Sequence, residues 1–352
     1  MNAKNFTPSN ITFYTNVSTE CSLSHNTKLL IEGYKMPGSI TCFKSIKNNY
    51  VLAYGNKNNY GIELYNIEKN RLEDNGIIKK AHSSYINNIR HYKEEKKNID
   101  LLLTSSQDNS IKLWNYASRE NLIAIEKASQ IYNFLWDSYL TACLLFEDEK
   151  KYFISCDAYG NPNLKCWDSD GNKIKNIKIN NFVMFLDNYI DKDNNNIIIT
   201  CGIEGIILIN FSNFTKFRQY HEENDKISHR WAEIHEIDKI KKLIETDEAG
   251  YVRVWNFDSC NLLMKITNNC YDNSSNLCLF GACLFDGQYL IIGGQNKKLN
   301  AFDLLTGTKV AEIDGHFNDK IITVLSINVE SKGLCIFAND GNYHLNMLDI
   351  KK

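Results

Sequence analysis

The sequence predicts an all-β fold assembled from seven copies of one short unit, and three observations carry that expectation. A strand signature of alternating apolar residues ending in an aromatic or aliphatic residue and Asp or Asn recurs seven times, at intervals of roughly 43 to 53 residues. A second apolar run precedes each copy at similar distance, and Asx- and Gly-rich turns separate the runs. The apolar runs lack clean alternation, as expected of strands covered on both faces.

Taken in chain order, residues 1–26 are polar and rich in Ser, Thr and Asn, and read as a tail without the apolar core of a signal peptide. Thr27 to Tyr34 contains enough apolar residues for one strand. The first unit (38–72) has its second strand at Tyr50–Tyr54 and its third at Ile62-Glu63-Leu64-Tyr65-Asn66. The second (81–125) is the clearest: His82-Ser83-Ser84-Tyr85-Ile86-Asn87-Asn88-Ile89, a charged stretch, Leu101–Ser105, then Asp108 and Ile111-Lys112-Leu113-Trp114-Asn115. The third (128–179) carries Tyr152–Cys156 and Leu164-Lys165-Cys166-Trp167-Asp168. The fourth (181–220) carries Ile197–Cys201 and Ile206-Ile207-Leu208-Ile209-Asn210.

In the fifth unit (229–266), Trp231, Ile234, Ile237, Ile240 and Leu243 recur every three residues, closer to a helical than a strand period. Two strands with a turn at Asp238-Lys239 are nevertheless expected, because the strand Val252–Trp255 needs Lys242–Thr246 beside it. The sixth unit (276–313) shows Tyr289–Gly293 and Leu299-Asn300-Ala301-Phe302-Asp303. The seventh (315–350) shows Leu334–Ala338 and Tyr343-His344-Leu345-Asn346-Met347. The chain stops after the third strand of this last unit, so residues 27–34 are expected to supply its outer strand. Closing a ring in this way would hide sheet edges that otherwise invite aggregation.

The His-x-x-x-Ile-x-x-Ile opening of the second unit, the Asp six residues before Trp and the Trp-Asp/Asn endings resemble the WD40 repeat. The resemblance implies a seven-bladed β-propeller whose ring is closed by an N-terminal strand. In that family a loop His, a strand Ser/Thr, a turn Asp and the Trp form one hydrogen-bonded set, which falls here on His82, Ser106 (with Thr104 as the alternative), Asp108 and Trp114. A buried imidazole and indole each need such a partner. Elsewhere the set decays: Ala249 stands at the Asp position of the fifth unit, Asn210 stands where the fourth needs Trp, and the seventh opens on His316 but has no Trp.

Composition narrows the function. With 40 Lys plus Arg against 42 Asp plus Glu, the formal charge is −2, and no long basic stripe marks a nucleic-acid partner. The eleven cysteines include no Cys-x-x-Cys pair, and Cys156, Cys166 and Cys201 fall in apolar runs as small hydrophobes. The most apolar stretch, Ile197 to Phe211, is interrupted by Thr200, Gly202 and Glu204 and is too short to span a bilayer, so neither a membrane partner nor a membrane location is expected. The expected setting is the reduced cytoplasm, with the nucleus also compatible.

Motifs for chemistry are absent from the sequence. Gly293-Gly294-Gln295-Asn296-Lys297-Lys298 lacks the phosphate-loop arrangement and reads as a turn, and no Gly-x-Ser-x-Gly elbow occurs. His221, His229 and His235 match no zinc-site spacing. Asp247-Glu248 reads as a solvated turn, and Lys93–Lys97 and Asp191–Asn196 as solvated loops. The strings after Trp114 and Trp167 lack the Trp-Asp-x-Arg pattern of cullin-ligase propellers. Phe217-Arg218-Gln219-Tyr220 has one arginine where phosphoinositide-binding propellers have two.

The expectation is therefore a non-catalytic scaffold or adaptor subunit without cofactor or metal, monomeric by itself, whose partners are proteins or peptides. Its binding residues are expected on a top face of turns, where rigid scaffolds place recognition: Asn58, Gln107, Ile203, Glu248, Gln295 and Asn339. Tyr85, Arg230 and Trp231 join them as aromatic and arginine anchors. The alternatives are a substrate receptor of a ubiquitin ligase, a membrane-trafficking subunit, and an enzyme using the central channel.

Overall fold

The computed structural model describes residues 9–13, 21–32, 39–56, 58–129, 139–157, 163–179, 182–223, 226–266, 281–314, 317–340 and 344–351. Near the N-terminus lie β1 (Ser9–Phe13) and β2 (Cys21–Glu32). The first blade is β3 (Ile40–Lys44), β4 (Tyr50–Asn56), β5 (Gly61–Asn66) and β6 (Arg71–Ile78), and the second is β7 (Ile86–Glu94), β8 (Ile99–Ser106), β9 (Ile111–Asn115) and β10 (Asn121–Ile125). The third is β11 (Leu140–Glu147), β12 (Lys150–Asp157), β13 (Asn163–Trp167) and β14 (Lys173–Lys178), and the fourth is β15 (Val183–Ile190), β16 (Asn196–Gly202), β17 (Gly205–Asn210) and β18 (Thr215–Tyr220). The fifth is β19 (His229–Ile237), β20 (Ile240–Asp247), β21 (Val252–Asn256) and β22 (Leu262–Ile266). The sixth is β23 (Cys283–Phe285), β24 (Tyr289–Gly293), β25 (Leu299–Asp303) and β26 (Lys309–Ile313). The seventh contains β27 (Ile321–Val329), β28 (Gly333–Asp340) and β29 (His344–Lys351).

Six of the seven sheets pair consecutive strands, and every pairing with a described register is antiparallel; the fold is a seven-bladed β-propeller. The last sheet is completed from the N-terminus, in the order β1-β2-β29-β28-β27. β2 pairs with β29 from Ser24↔Lys351 to Glu32↔His344, so the strand expected at 27–34 is present but begins at Cys21. β1 then pairs with β2 from Ser9↔His25 to Phe13↔Cys21, so the segment read as a tail contains one strand and the start of another. The reason is the edge: β2 alone would leave a row of unpaired N–H and C=O groups, part of which the backbone of β1 pairs. One turn of 3₁₀ helix, Glu95–Lys97, interrupts the strands in the stretch read as a solvated loop.

Local chemistry explains the hairpins. Asp238 and Lys239 both take positive φ (53° and 63°), as do Asp148 and Glu149 (48° and 66°), giving two-residue turns whose twist matches the flanking strands. This turn separates β19 from β20 and overrides the three-residue apolar period of that segment. Second strands are buried along nearly their whole length, β8 and β16 above all, whereas outer strands such as β14 are mostly exposed. The outer strands of the first six blades, β6, β10, β14, β18, β22 and β26, each carry a register shift against their neighbour. A bulge there twists each free edge and spoils it as a template for further pairing.

Two compact units divide the chain, Gly38–Ala232 and Met1–Pro37 with Glu233–Lys352. In the first, apolar clusters fill the spaces between consecutive blades: Val51, Ile62, Leu102 and Trp114; Leu103, Leu113, Leu144 and Trp167; Ile154, Cys166, Ile198 and Phe211. In the second, Ile291, Leu299, Ala301, Val324, Ile336 and Leu348 form the corresponding cluster. Gly281 shows how close these strands come: at φ +87°, an added Cβ would lie 2.3 Å from the Val324 carbonyl oxygen. No described helix is long and apolar enough to cross a membrane.

Candidate interaction surface

In the second blade four side chains from four successive segments meet. The Trp114 indole donates to Thr104 Oγ1 at 3.0 Å, and Thr104 Oγ1 lies 2.8 Å from His82 Nε2. His82 Nδ1 is 3.0 Å from one Asp108 carboxylate oxygen and 3.2 Å from the other. Because a carboxylate only accepts, His82 Nδ1 donates to Asp108. The hydrogen-bonded chain therefore runs Trp114, Thr104, His82, Asp108. Thr104, not Ser106, is its hub. The Ser106 hydroxyl instead bonds to the carbonyl of Tyr85 at 2.9 Å and accepts from the Asp108 N–H at 3.1 Å, tying the loop before β7 to the turn after β8.

Asp108 is the electrostatic centre of this loop. Burial alone would push its carboxyl up, but the hydrogen bond from His82 and its charge, then the Ser110 hydroxyl and the Ser83 N–H, outweigh that and hold it well below the usual carboxylate range. The Ser110 hydroxyl lies at 2.6 Å and the Ser83 N–H at 2.9 Å. The arrangement fixes a backbone turn.

The same positions are filled differently in other blades. In the third, Trp167 donates to Ser155 at 2.9 Å, and Lys165 pairs with Asp157 at 2.8 Å. In the fifth, Trp255 donates to Glu245 at 3.1 Å, and Arg253 sits between Glu245 (3.4 Å) and Asp247 (2.7 Å), all three fully buried. Asp247 thus does not occupy the solvated turn expected of it: it ends β20 where both faces of the strand are covered and is fully buried, and only Glu248 of the pair, in the turn, is half-exposed. Its carboxyl is raised by burial, against the lowering effect of Arg253. These ion pairs escaped the sequence reading, although a signal for them exists: a basic residue stands two before the third-strand Trp167 and Trp255, as Lys165 and Arg253. Lys112 and Lys165 also reach the carbonyls of Ala81 and Ala128, at 3.0 and 2.8 Å, and so hold the incoming loops.

Above the second-blade network lies an open recess of about 540 Å³, lined by Asn58, Tyr60, Lys80, His82, Ser83, Asp108, Lys112 and Glu126 among others. Three of the expected binding residues gather around it. Asn58 is exposed in the turn between β4 and β5, the Tyr60 and Tyr85 rings meet edge to face at 5.4 Å, and the Gln107 N–H donates to the Tyr85 carbonyl at 2.9 Å. Ile203 is exposed in the turn between β16 and β17, away from this recess. Arg230 and Trp231 are half-buried residues of β19, not loop residues. In the other unit Glu248 and Gln295 are half-exposed in turns, while Asn339 is fully buried inside β28. The pairing of β27 with β28 runs on through Ile321↔Asp340, which carries Asn339 into the sheet.

Within the unit Gly38–Ala232 the inner strands are bridged. Arg90 on β7 reaches Asp187 on β15 at 3.0 Å and the Leu186 carbonyl at 2.8 Å, with its guanidinium 4.3 Å from the centre of the Phe185 ring. The Tyr92 hydroxyl accepts from the Leu144 N–H at 3.0 Å. Burial pushes the Cys156 and Cys283 thiols up to about 12, so both stay protonated at neutral pH. Among the described residues no group of three His, Cys, Asp or Glu is placed to hold a metal ion.

Comparison of the chain with models of known protein families and with curated proteins finds no match.

Proposed function

We propose that this protein is a WD40-type propeller acting as a non-catalytic scaffold or adaptor subunit, which holds partner proteins or peptides at the blade end carrying the turns after the second strands. The observation that supports this reading is the 540 Å³ recess, an open polar concavity floored by a network that makes its turns rigid. Recognition is favoured where loops sit on a rigid frame, because little entropy is lost on binding. The exposed rim (Asn58, Lys80, Ser83) offers amide, cation and hydroxyl contacts, and the half-buried Tyr60 and Tyr85 offer aromatic ones. In this reading the His82–Asp108 pair serves as support, with Asp108 also accepting from the Ser110 and Ser83 N–H groups of the loop.

The test is affinity purification of the tagged chain from its native cells beside an Asn58→Arg/Lys80→Glu variant, both residues being exposed. Stoichiometric partners that accompany the wild type and are lost from the folded variant are the expected result. Partners retained undiminished by the variant would move recognition away from this recess, and a wild type that purifies alone would end the scaffold reading.

A further inference from the structure

The outer wall of the third and fourth blades departs from the rest of the described surface. β14 reads Lys173-Ile174-Lys175-Asn176-Ile177-Lys178 and β18 reads Thr215-Lys216-Phe217-Arg218-Gln219-Tyr220: five cations and no carboxylate on two neighbouring outer strands, in a chain of net charge −2. On β6 and β26, by contrast, cations are neutralised locally, Arg71 by Asp74 and Lys309 by Glu312. Among the described residues no carboxylate pairs with Lys173, Lys175, Lys178 or Lys216.

The bulges give this charge a repeated form. In β14 the pairing jumps from Cys166↔Lys175 to Trp167↔Lys173, so Ile174 is the extra residue and stands 53% exposed. In β18 it jumps from Leu208↔Arg218 to Ile209↔Lys216, so Phe217 is the extra residue and stands 45% exposed. Each strand therefore presents one apolar tip flanked by two cations at the same register position. Alongside them is a recess of about 260 Å³ with an apolar floor of Ile177, Ile207, Ile209 and Phe214 and a rim of Lys178, Lys216 and Gln219 that also holds one carboxylate, Glu204. Lys175 caps Phe214, its ammonium 4.2 Å from the ring centre.

We propose that this wall is a second docking surface, which takes an acidic segment of a partner protein carrying a large apolar side chain. The proposal rests on the scaffold reading and names the chemistry of a partner. Charge complementarity selects carboxylates for the lysine rim. The recess selects a projecting side chain: Ile207 and Ile209 are only 9% and 2% exposed, depths that a flat bilayer would bridge without filling. The bulges disfavour addition of a further strand, so recognition falls to side chains in place of backbone pairing.

The test uses the full chain and a short fluorescent peptide of Asp and Glu around one Phe, followed by anisotropy at low and physiological salt. Expected is salt-sensitive binding that weakens at least about tenfold when the peptide's Phe becomes Ser, and by as much in a Lys173→Glu/Lys175→Glu/Lys216→Glu variant. A milder Lys→Gln triple at the same positions gives an intermediate loss and guards against misfolding, which circular dichroism also checks. Equal binding by wild type and variants overturns the proposal. So does flotation of the wild type with phosphatidylserine vesicles, lost in the variants, if the peptide fails to bind. Native partners that co-purify with the triple variant, with no peptide binding by the wild type, overturn this surface and leave the scaffold reading standing. A wild type without any partner removes that reading and this proposal with it.

Discussion

Replacing Thr104 with Val tests the network that holds the recess. The substitution is nearly isosteric and removes one hydroxyl, which is fully buried and engages both the Trp114 indole and His82 Nε2. Both partners are themselves buried, at 6% and 3% exposure, so water cannot replace the lost contacts. Each stranded polar group costs about 1–3 kcal/mol, and a combined loss of about 3 kcal/mol allows for partial relaxation. An unfolding entropy of about 2.1 cal/mol/K per residue across the chain converts this into a fall in Tm of about 4 °C. Thr104→Ser keeps the hydroxyl and should lose about 1 kcal/mol for one buried methyl. Ser106→Ala, which breaks the contact to the Tyr85 carbonyl, should also cost about 1 kcal/mol. Differential scanning calorimetry of the three variants decides the matter. If Ser106→Ala proves as damaging as Thr104→Val, or more so, Thr104 is not the hub.

Further outcomes follow from the same geometry. Arg253→Met should destabilise by about 3–5 kcal/mol, since it strands two buried carboxylates, whereas Arg253→Lys, the residue type found at 112 and 165, should recover much of the loss in urea unfolding. Asp108 has a folded-state affinity for protons below its unfolded value of about 3.9, so its contribution is complete above that pH and drains away as pH falls towards the lower folded value. The stability gap between wild type and Asp108→Asn should accordingly stay level from neutral pH to about 5 and shrink below about 4. A double-mutant cycle on Arg90→Ala and Asp187→Ala should give a coupling of about 1–2 kcal/mol, and a value near zero would mean that the bridge between these inner strands is solvent-screened.

Much of the fold was legible because the repeat leaves its mark where burial is most complete. The second strands lie inside the sheets, so their apolar runs located β4, β8, β12, β16, β20, β24 and β28 with small boundary shifts. The segment around Ile234 and Ile237 was ambiguous in period alone, and the need of Val252–Trp255 for a neighbour resolved it. The N-terminal strands carried a weak signal, since β1 and the start of β2 contain few apolar residues and owe their place to backbone pairing with β29 and with each other.

The interaction surface was less legible. Thr104 and Ser106 are both hydroxyl residues on one face of β8, and only the register of β8 against β9 decides which meets Trp114. Asn339-Asp340-Gly341 reads as a turn, yet continued pairing with β27 places Asn339 within the sheet. Asp247 reads as a solvated carboxylate because its spacing from Arg253 does not by itself show that the adjacent strand brings the two within 2.7 Å. The cation-flanked tips on β14 and β18 depend on bulges, which shift register by one residue and leave no compositional trace.

The claim that this propeller works by holding proteins is tested most directly by co-purification from native cells, with wild type compared against Asn58→Arg/Lys80→Glu after both are shown to melt alike. The account predicts stoichiometric protein partners in the first and their loss from the second. A wild type recovered without partners would contradict it.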